Sequence, residues 1–132
     1  MDGGQVALSA DGKLQFSAWM NSESGKRRLF FARVKPGEEP EGSALVDFDG
    51  QQGHPVVTPL SDGRAFVAFE ANETIGAVVL DADGKVEKKQ LLGKAGKFPR
   101  LVQTKDAIVV TWESTEGVQT CTVAAAWWKP GD

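Results

Sequence analysis

Three stretches of the chain can be laid over one another, and any fold has to accommodate that repetition. Gln5-Val6-Ala7-Leu8-Ser9 runs into Phe16-Ser17-Ala18-Trp19-Met20, and His54-Pro55-Val56-Val57 runs into Phe66-Val67-Ala68-Phe69-Glu70. Phe98-Pro99-Arg100-Leu101-Val102 likewise runs into Val109-Val110-Thr111-Trp112-Glu113. Each stretch pairs a short apolar strand with a second one that ends on an aromatic. The polar turns between them, Asp11-Gly12, Asp62-Gly63 and Lys105-Asp106, are residue types that accept the tight backbone of a hairpin. Trp19, Phe69 and Trp112 stand 50 and 43 residues apart, and Phe16, Phe66 and Val109 precede them by three residues. A strand-built period of about 40 to 50 residues points to the blades of a β-propeller. Aromatics at matching positions would fill equivalent spaces between neighbouring sheets, so all six of these residues are expected to be buried there.

The remaining strands of each repeat are weaker. Arg28 to Val34 and Ala44 to Phe48 complete the first, with a break from Pro36-Gly37 through Gly42. Ile75 to Leu80 and Val86 to Leu92 complete the second, on either side of Asp81-Ala82-Asp83-Gly84. Val118 to Ala126 supplies a third strand to the last repeat, and Trp127 to Asp132 leaves little room for a fourth. No segment carries apolar residues at helical spacing for three turns, whereas β-branched and aromatic residues crowd the strands. The expected fold is all-β: about three four-stranded antiparallel sheets, some eleven strands, arranged as a partial β-propeller. A closed β-sandwich or barrel is the alternative. Residues 1–132 form one repeat domain, with repeats at approximately 4–52, 53–96 and 97–128. Lys35 to Ser43, rich in Pro, Gly and Glu, is the expected flexible loop.

A chain of 132 residues can bury a core without help from metal or disulfide. Its net charge is -3, and its basic residues are scattered apart from Lys26-Arg27-Arg28 and Lys88-Lys89, which read as solvated strand faces. Nucleic acid is therefore not an expected partner, because phosphate binding needs a concentrated positive face. Cys121 is the single cysteine, which excludes an intrachain disulfide and any multi-thiolate zinc site; a small core side chain is its expected role. No stretch approaches the roughly 20 apolar residues of a membrane-spanning helix, so no membrane is expected. Met1 to Gly4 lack the basic and apolar regions of a signal peptide, and the compartment stays open.

At Phe98-Pro99-Arg100-Leu101-Val102 with Val110-Thr111-Trp112-Glu113-Ser114, and at His54-Pro55-Val56-Val57 with Ala68-Phe69-Glu70, the sequence resembles the sialidase-like (BNR-type) repeat propellers of bacteria. The resemblance spans most of residues 4 to 123. It implies four-stranded blades around an axis and a periplasmic or secreted location. Departures limit what it implies about chemistry. Ser9-Ala10-Asp11-Gly12-Lys13 has its glycine one place too early for the family's Asp box and lacks the following tryptophan. Sialidases use a tyrosine nucleophile, and this chain has no tyrosine; its arginines at 27, 28, 33, 64 and 100 fall at unrelated repeat positions. No catalytic residue is carried over.

Other chemistry is sparse. His54 is the only histidine, so no His-based metal site or paired-imidazole mechanism can form within one chain. A serine hydrolase would have to use it as base, yet no Gly-x-Ser-x-Gly element presents a nucleophile. Asp47-Phe48-Asp49-Gly50 and Asp81-Ala82-Asp83-Gly84 superficially resemble the opening of a calcium loop, but the twelfth positions are Thr58 and Leu92 rather than glutamate. Both read as turns in which Gly supplies a positive φ. In a propeller the ends of second strands and the starts of first strands share one rim. That would gather Glu70 and Glu113 with His54, Asn72 and Arg100 as a candidate ligand-binding set.

Two functions follow as expectations, and no cofactor is expected for either. The first is a non-catalytic binding or interaction module of propeller-like blades, completing a ring with copies of itself or with further blades of a longer chain and offering its rim to a glycan or protein. The second is a fragment or subunit of a glycan-active propeller hydrolase, with acidic side chains at the rim. Whether the chain is an enzyme is left open, with the poverty of catalytic residue types weighing against it. Trp128 or Trp127 is expected near the contact that completes the assembly.

Overall fold

The computed structural model describes residues 4–21, 27–39, 44–45, 50–93 and 95–129. Strands β1 (Gly4–Leu8), β2 (Gln15–Asn21), β3 (Arg28–Val34) and β4 (Ala44–Leu45) form a first sheet. A second comprises β5 (Gln52–Pro59), β6 (Ala65–Ala71), β7 (Thr74–Leu80) and β8 (Val86–Gly93). A third comprises β9 (Lys97–Gln103), β10 (Ala107–Ser114) and β11 (Gly117–Ala124). Within each sheet every strand pairs antiparallel with its neighbour in sequence, and no sheet closes into a barrel. The protein is thus all-β in three antiparallel sheets, as the repeats require, and the closed alternative is not adopted. In the third repeat the last strand stops at Ala124 instead of continuing to Ala126, and a single helical turn, α1 (Ala125–Trp128), follows. Of the loop 35–43, residues 40–43 lie outside the described residues, as do 46–49 of the expected fourth strand and the turn after it.

Turn chemistry follows the sequence. Gly12 and Gly84 have φ of 73° and 84°, in the left-handed region that glycine enters freely. The Asp81 carboxylate accepts the N–H groups of Asp83 and Lys85, each at 2.9 Å, which makes this segment an aspartate-stabilised turn. Asn72 and Glu73, at φ 48° and 71°, join β6 to β7 by a two-residue connection whose positive angles match strand twist. In the first turn the Asp11 carboxylate accepts the Lys13 N–H at 2.9 Å and the Ser9 hydroxyl at 2.7 Å. Those two bonds, the backbone one foremost, hold its carboxyl below the ordinary aspartate value.

The sheets stack, and the second lies in the middle. Its one face, with Val57, Val67, Phe69, Val78 and Leu80, packs against Phe16, Ala18, Leu29 and Phe31 of the first sheet. Its other face, with Val56, Phe66, Ala68, Ile75 and Val79, packs against Ile108, Val110, Trp112 and Val123 of the third. Strand alternation explains why both faces are apolar: residues i and i+3 point to opposite sides of a sheet. Phe66 therefore looks toward the third sheet and Phe69 toward the first. The same geometry aims Phe16 inward and Trp19 outward on the first sheet, and Trp112 inward and Val109 outward on the third. Trp19 and Val109 are accordingly only half-buried, which corrects the expectation that both would be buried between sheets. Trp19 stacks on Phe30 at 6.2 Å and 18°. On that same outer face Val6 and Leu8 are 63% and 54% exposed, and on the opposite end of the stack Val102 and Val118 are 64% and 74% exposed.

Two further devices close the inter-sheet space. Trp112 lies over Gly93 and Gly96, where an added Cβ would come within 2.6 and 2.3 Å of its ring, so no larger residue fits without movement. Helix α1 folds Trp128 into the gap beside β11: it is buried, and its indole N–H donates to the Val123 carbonyl at 3.2 Å. Arg64 donates to the Trp128 carbonyl at 2.9 Å while its other nitrogens bond Glu87 at 2.8 and 3.3 Å. Trp127 meets Phe66 edge-on at 6.0 Å, and its carbonyl accepts from the Lys88 ammonium at 2.7 Å. Trp128 is thus covered by its own chain, and Trp127 stays half-buried against Phe66.

Candidate functional site

The second and third sheets begin with the same irregularity. In β5 the register shifts between Gly53 and Val56, and in β9 it shifts between the partners of Thr111 and Glu113, so that His54-Pro55 and Phe98-Pro99 bulge out of the ladder. Proline explains the break, because it has no N–H to give to the ladder and denies the preceding residue a helical conformation. His54 and Phe98 nevertheless have positive φ, 45° and 55°, where a residue before proline ordinarily stays extended, and such a conformation costs about 1–3 kcal/mol in a non-glycine residue. The two bulges face each other across neighbouring first strands, and the His54 and Phe98 rings meet edge to face at 4.8 Å and 71°.

Glu70, at the end of β6, ties these bulges together. Its carboxylate accepts the Phe98 N–H at 3.1 Å and lies against His54 Nδ1. His54 and Glu70, brought together by the sequence argument, are thus in contact. The contact of Glu70 with His54 lies within the second sheet and its bond to Phe98 joins that sheet to the third, so the carboxylate is engaged on both sides.

The other expected members are arranged differently. The Asn72 side-chain oxygen accepts the Gln51 N–H at 2.9 Å, and the Asn72 backbone N–H donates to the Gln51 carbonyl at 2.8 Å. It shares with Glu70 a cleft of about 420 Å³ that Arg27, Gln51 and Gln52 also line. Glu113 lines a neighbouring cleft of about 470 Å³ with Glu73, Lys97, Phe98 and Ser114. Arg100 does not join either cleft: its ladder partner is Thr111, on the outward face of the third sheet, and its guanidinium bonds the adjacent Pro99 carbonyl at 3.1 Å.

Gln52 was not among the expected residues, yet it performs for the first two sheets what Glu70 performs for the last two. It is buried, its side-chain oxygen accepts the Leu29 N–H at 2.6 Å, and its N–H donates to the Arg27 carbonyl at 3.2 Å. The signal available was its place immediately before Gly53 and the proline bulge, since a polar side chain beside a broken ladder has backbone groups to satisfy. Among the described residues no group of three or more His, Cys, Asp or Glu side chains is gathered to hold a metal ion. No family model matches the chain, and no curated protein is significantly similar to it.

Proposed function

We propose that this protein is a non-catalytic interaction module whose sheets act as successive propeller-like blades, and that it assembles by docking a second copy of itself on its two end faces. One observation carries this reading. The chain makes the same sheet-to-sheet contact twice, each time setting the Phe16 or Phe66 side of one sheet against the Phe69 or Trp112 side of the next. The two end faces are the unlike halves of that contact. The first sheet presents outward the side bearing Trp19, the repeat equivalent of Phe69, and the third presents the side bearing Val109, the equivalent of Phe66.

A second copy supplies each face with the half it lacks. Two chains related by a twofold axis make that contact at both junctions and close six sheets into a ring, which leaves no end face open. The occupied state of Glu70 favours this reading over a glycan hydrolase, because its carboxylate is engaged in joining strands.

Light scattering over a micromolar concentration series tests the proposal. The expected mass is twice the 14.1 kDa of the chain. A monomer that binds no apolar dye, or open-ended growth with concentration, overturns it. Hydrolysis of glycoside or ester substrates that is lost in Glu70→Gln or Glu113→Gln would replace it with the enzymatic reading.

A further inference from the structure

We infer that Glu113 is an intermolecular tie: its carboxylate receives a backbone N–H at the beginning of β1 of a second copy, as Glu70 receives the N–H of Phe98 within the chain. The inference rests on the proposed self-assembly and names the polar contact that sets its register.

Glu70 and Glu113 are equivalent in three independent respects. Each follows the aromatic that ends the second strand of its sheet, Phe69 or Trp112. Each lies opposite the residue just before the proline bulge, Glu70 against Gly53 and Glu113 against Lys97. Each points to the same side of its sheet, since alternation puts Glu70 with Phe66 and Ala68 toward the following sheet and Glu113 with Val109 and Thr111. They differ in what lies beyond. Past Glu70 is β9, whose Phe98 N–H, freed from its own ladder by the bulge, donates to the carboxylate at 3.1 Å. Past Glu113 no further sheet is stacked among the described residues, and the side chain is exposed at the mouth of its cleft.

The corresponding residue of the first repeat sharpens the argument. Met20 occupies that position and packs against the core between the first two sheets, where the polar junction is made by Gln52. An acidic residue at this position is therefore not a general requirement of the repeat. Within the chain an acidic residue at this position meets a backbone N–H of the following first strand once, Glu70 with Phe98, and at the third sheet the corresponding strand would come from a second copy. In the stack the strand following β10 in the role of β9 is β1 of the next copy, whose first described residue, Gly4, has no side chain to obstruct the approach. A carboxylate accepting a backbone N–H is a charge-assisted bond, shorter and stronger than a neutral one.

Sedimentation equilibrium of the wild-type chain with Glu113→Ala, Glu113→Gln, Glu116→Ala and Val118→Asp tests this, with urea melts of each at a concentration that keeps it dissociated. Expected are self-association weakened about tenfold or more in Glu113→Ala, a smaller loss in Glu113→Gln, which still offers an acceptor oxygen, and none in Glu116→Ala. The melts of the Glu113 variants should match wild type. If Val118→Asp abolishes association while Glu113→Ala leaves it unchanged, the tie is overturned and the self-assembly stands. A wild-type chain that stays monomeric overturns both.

Discussion

Phe69 on the middle sheet is fully buried, whereas Trp19, at the same repeat position on the first sheet, is half-buried beside exposed Val6 and Leu8. Phe66 and Val109 make the same contrast between the middle sheet and the third. The strands compared are each the second of their sheet, seven or eight residues long and paired antiparallel on both sides, and they differ in what stands next to them. Burial here is a property of position in the stack, and a residue type that fits the core of one sheet is set on the surface of another. Exposed apolar residues scattered over a protein are ordinary, and those that repeat a core pattern on an open face are the ones the proposed self-assembly would cover.

The largest expected effect sets the middle sheet against the ends. Phe69→Ala should cost about 3–5 kcal/mol in a urea melt, because a buried ring leaves a cavity between two sheets. Trp19→Ala, measured on dissociated chains, should cost about half of that or less, since a half-buried ring gives up correspondingly less covered area. Equal losses would mean that the first sheet's outer face is packed within the chain.

Next comes the junction between the second and third sheets. Gly96→Ala should cost about 1–3 kcal/mol through overpacking, because its Cβ would press on the Trp112 ring and on Ile75. Trp112→Ala should cost about 3–5 kcal/mol, and the double variant less than the sum, since the added methyl has room once the ring is gone. Strict additivity would place the damage elsewhere.

A comparable or smaller loss, about 1.5–3 kcal/mol, is expected for Arg64→Ala, which removes the donor to the Trp128 carbonyl and the partner of Glu87. Tryptophan emission should shift to the red as α1 loosens; an unchanged spectrum would show that α1 is held by packing alone.

The smallest effect belongs to the exposed turn at Asp11. Its carboxyl should titrate by NMR below the ordinary aspartate value. A folded-state pKa below the unfolded one contributes stability that is present above the unfolded value and is lost as pH falls through the folded one. Asp11→Asn should remove that acid-side slope, and an unshifted titration would show that the Lys13 and Ser9 bonds do not persist in solution.

Much of this architecture was legible in the sequence. The threefold pattern gave the number of sheets, and Asp-Gly pairs located turns because few residue types accept their angles. The face assignment was also within reach: Phe16 and Trp19 are three apart and cannot share a side of a strand, so the matching aromatics had to divide between two interfaces. Alternation likewise turns Arg100 outward from inward-facing Leu101, to the face that Thr111 and Glu113 share. The bulges coincide with Pro55 and Pro99, which have no N–H to give to the ladder, whereas Pro59 near the end of β5 stays in register with Ala65. Gln52 and α1 were harder to read, because a tie between sheets depends on which backbone groups the packed sheets leave unsatisfied, and local pattern does not report that.

Whether the end faces meet copy to copy can be read from mixed chains. One chain, unlabelled with nitrogen-15 and carrying Cys121→Ala, bears a spin label at Glu116→Cys, in the exposed turn beside Val118. The other carries nitrogen-15 and no spin label. Head-to-tail stacking predicts intermolecular broadening of Gly4, Val6 and the Trp19 indole on the first sheet. Broadening confined to Val102, Val109 and Val118, which would mean that like faces meet, or no broadening between chains at all, would contradict it.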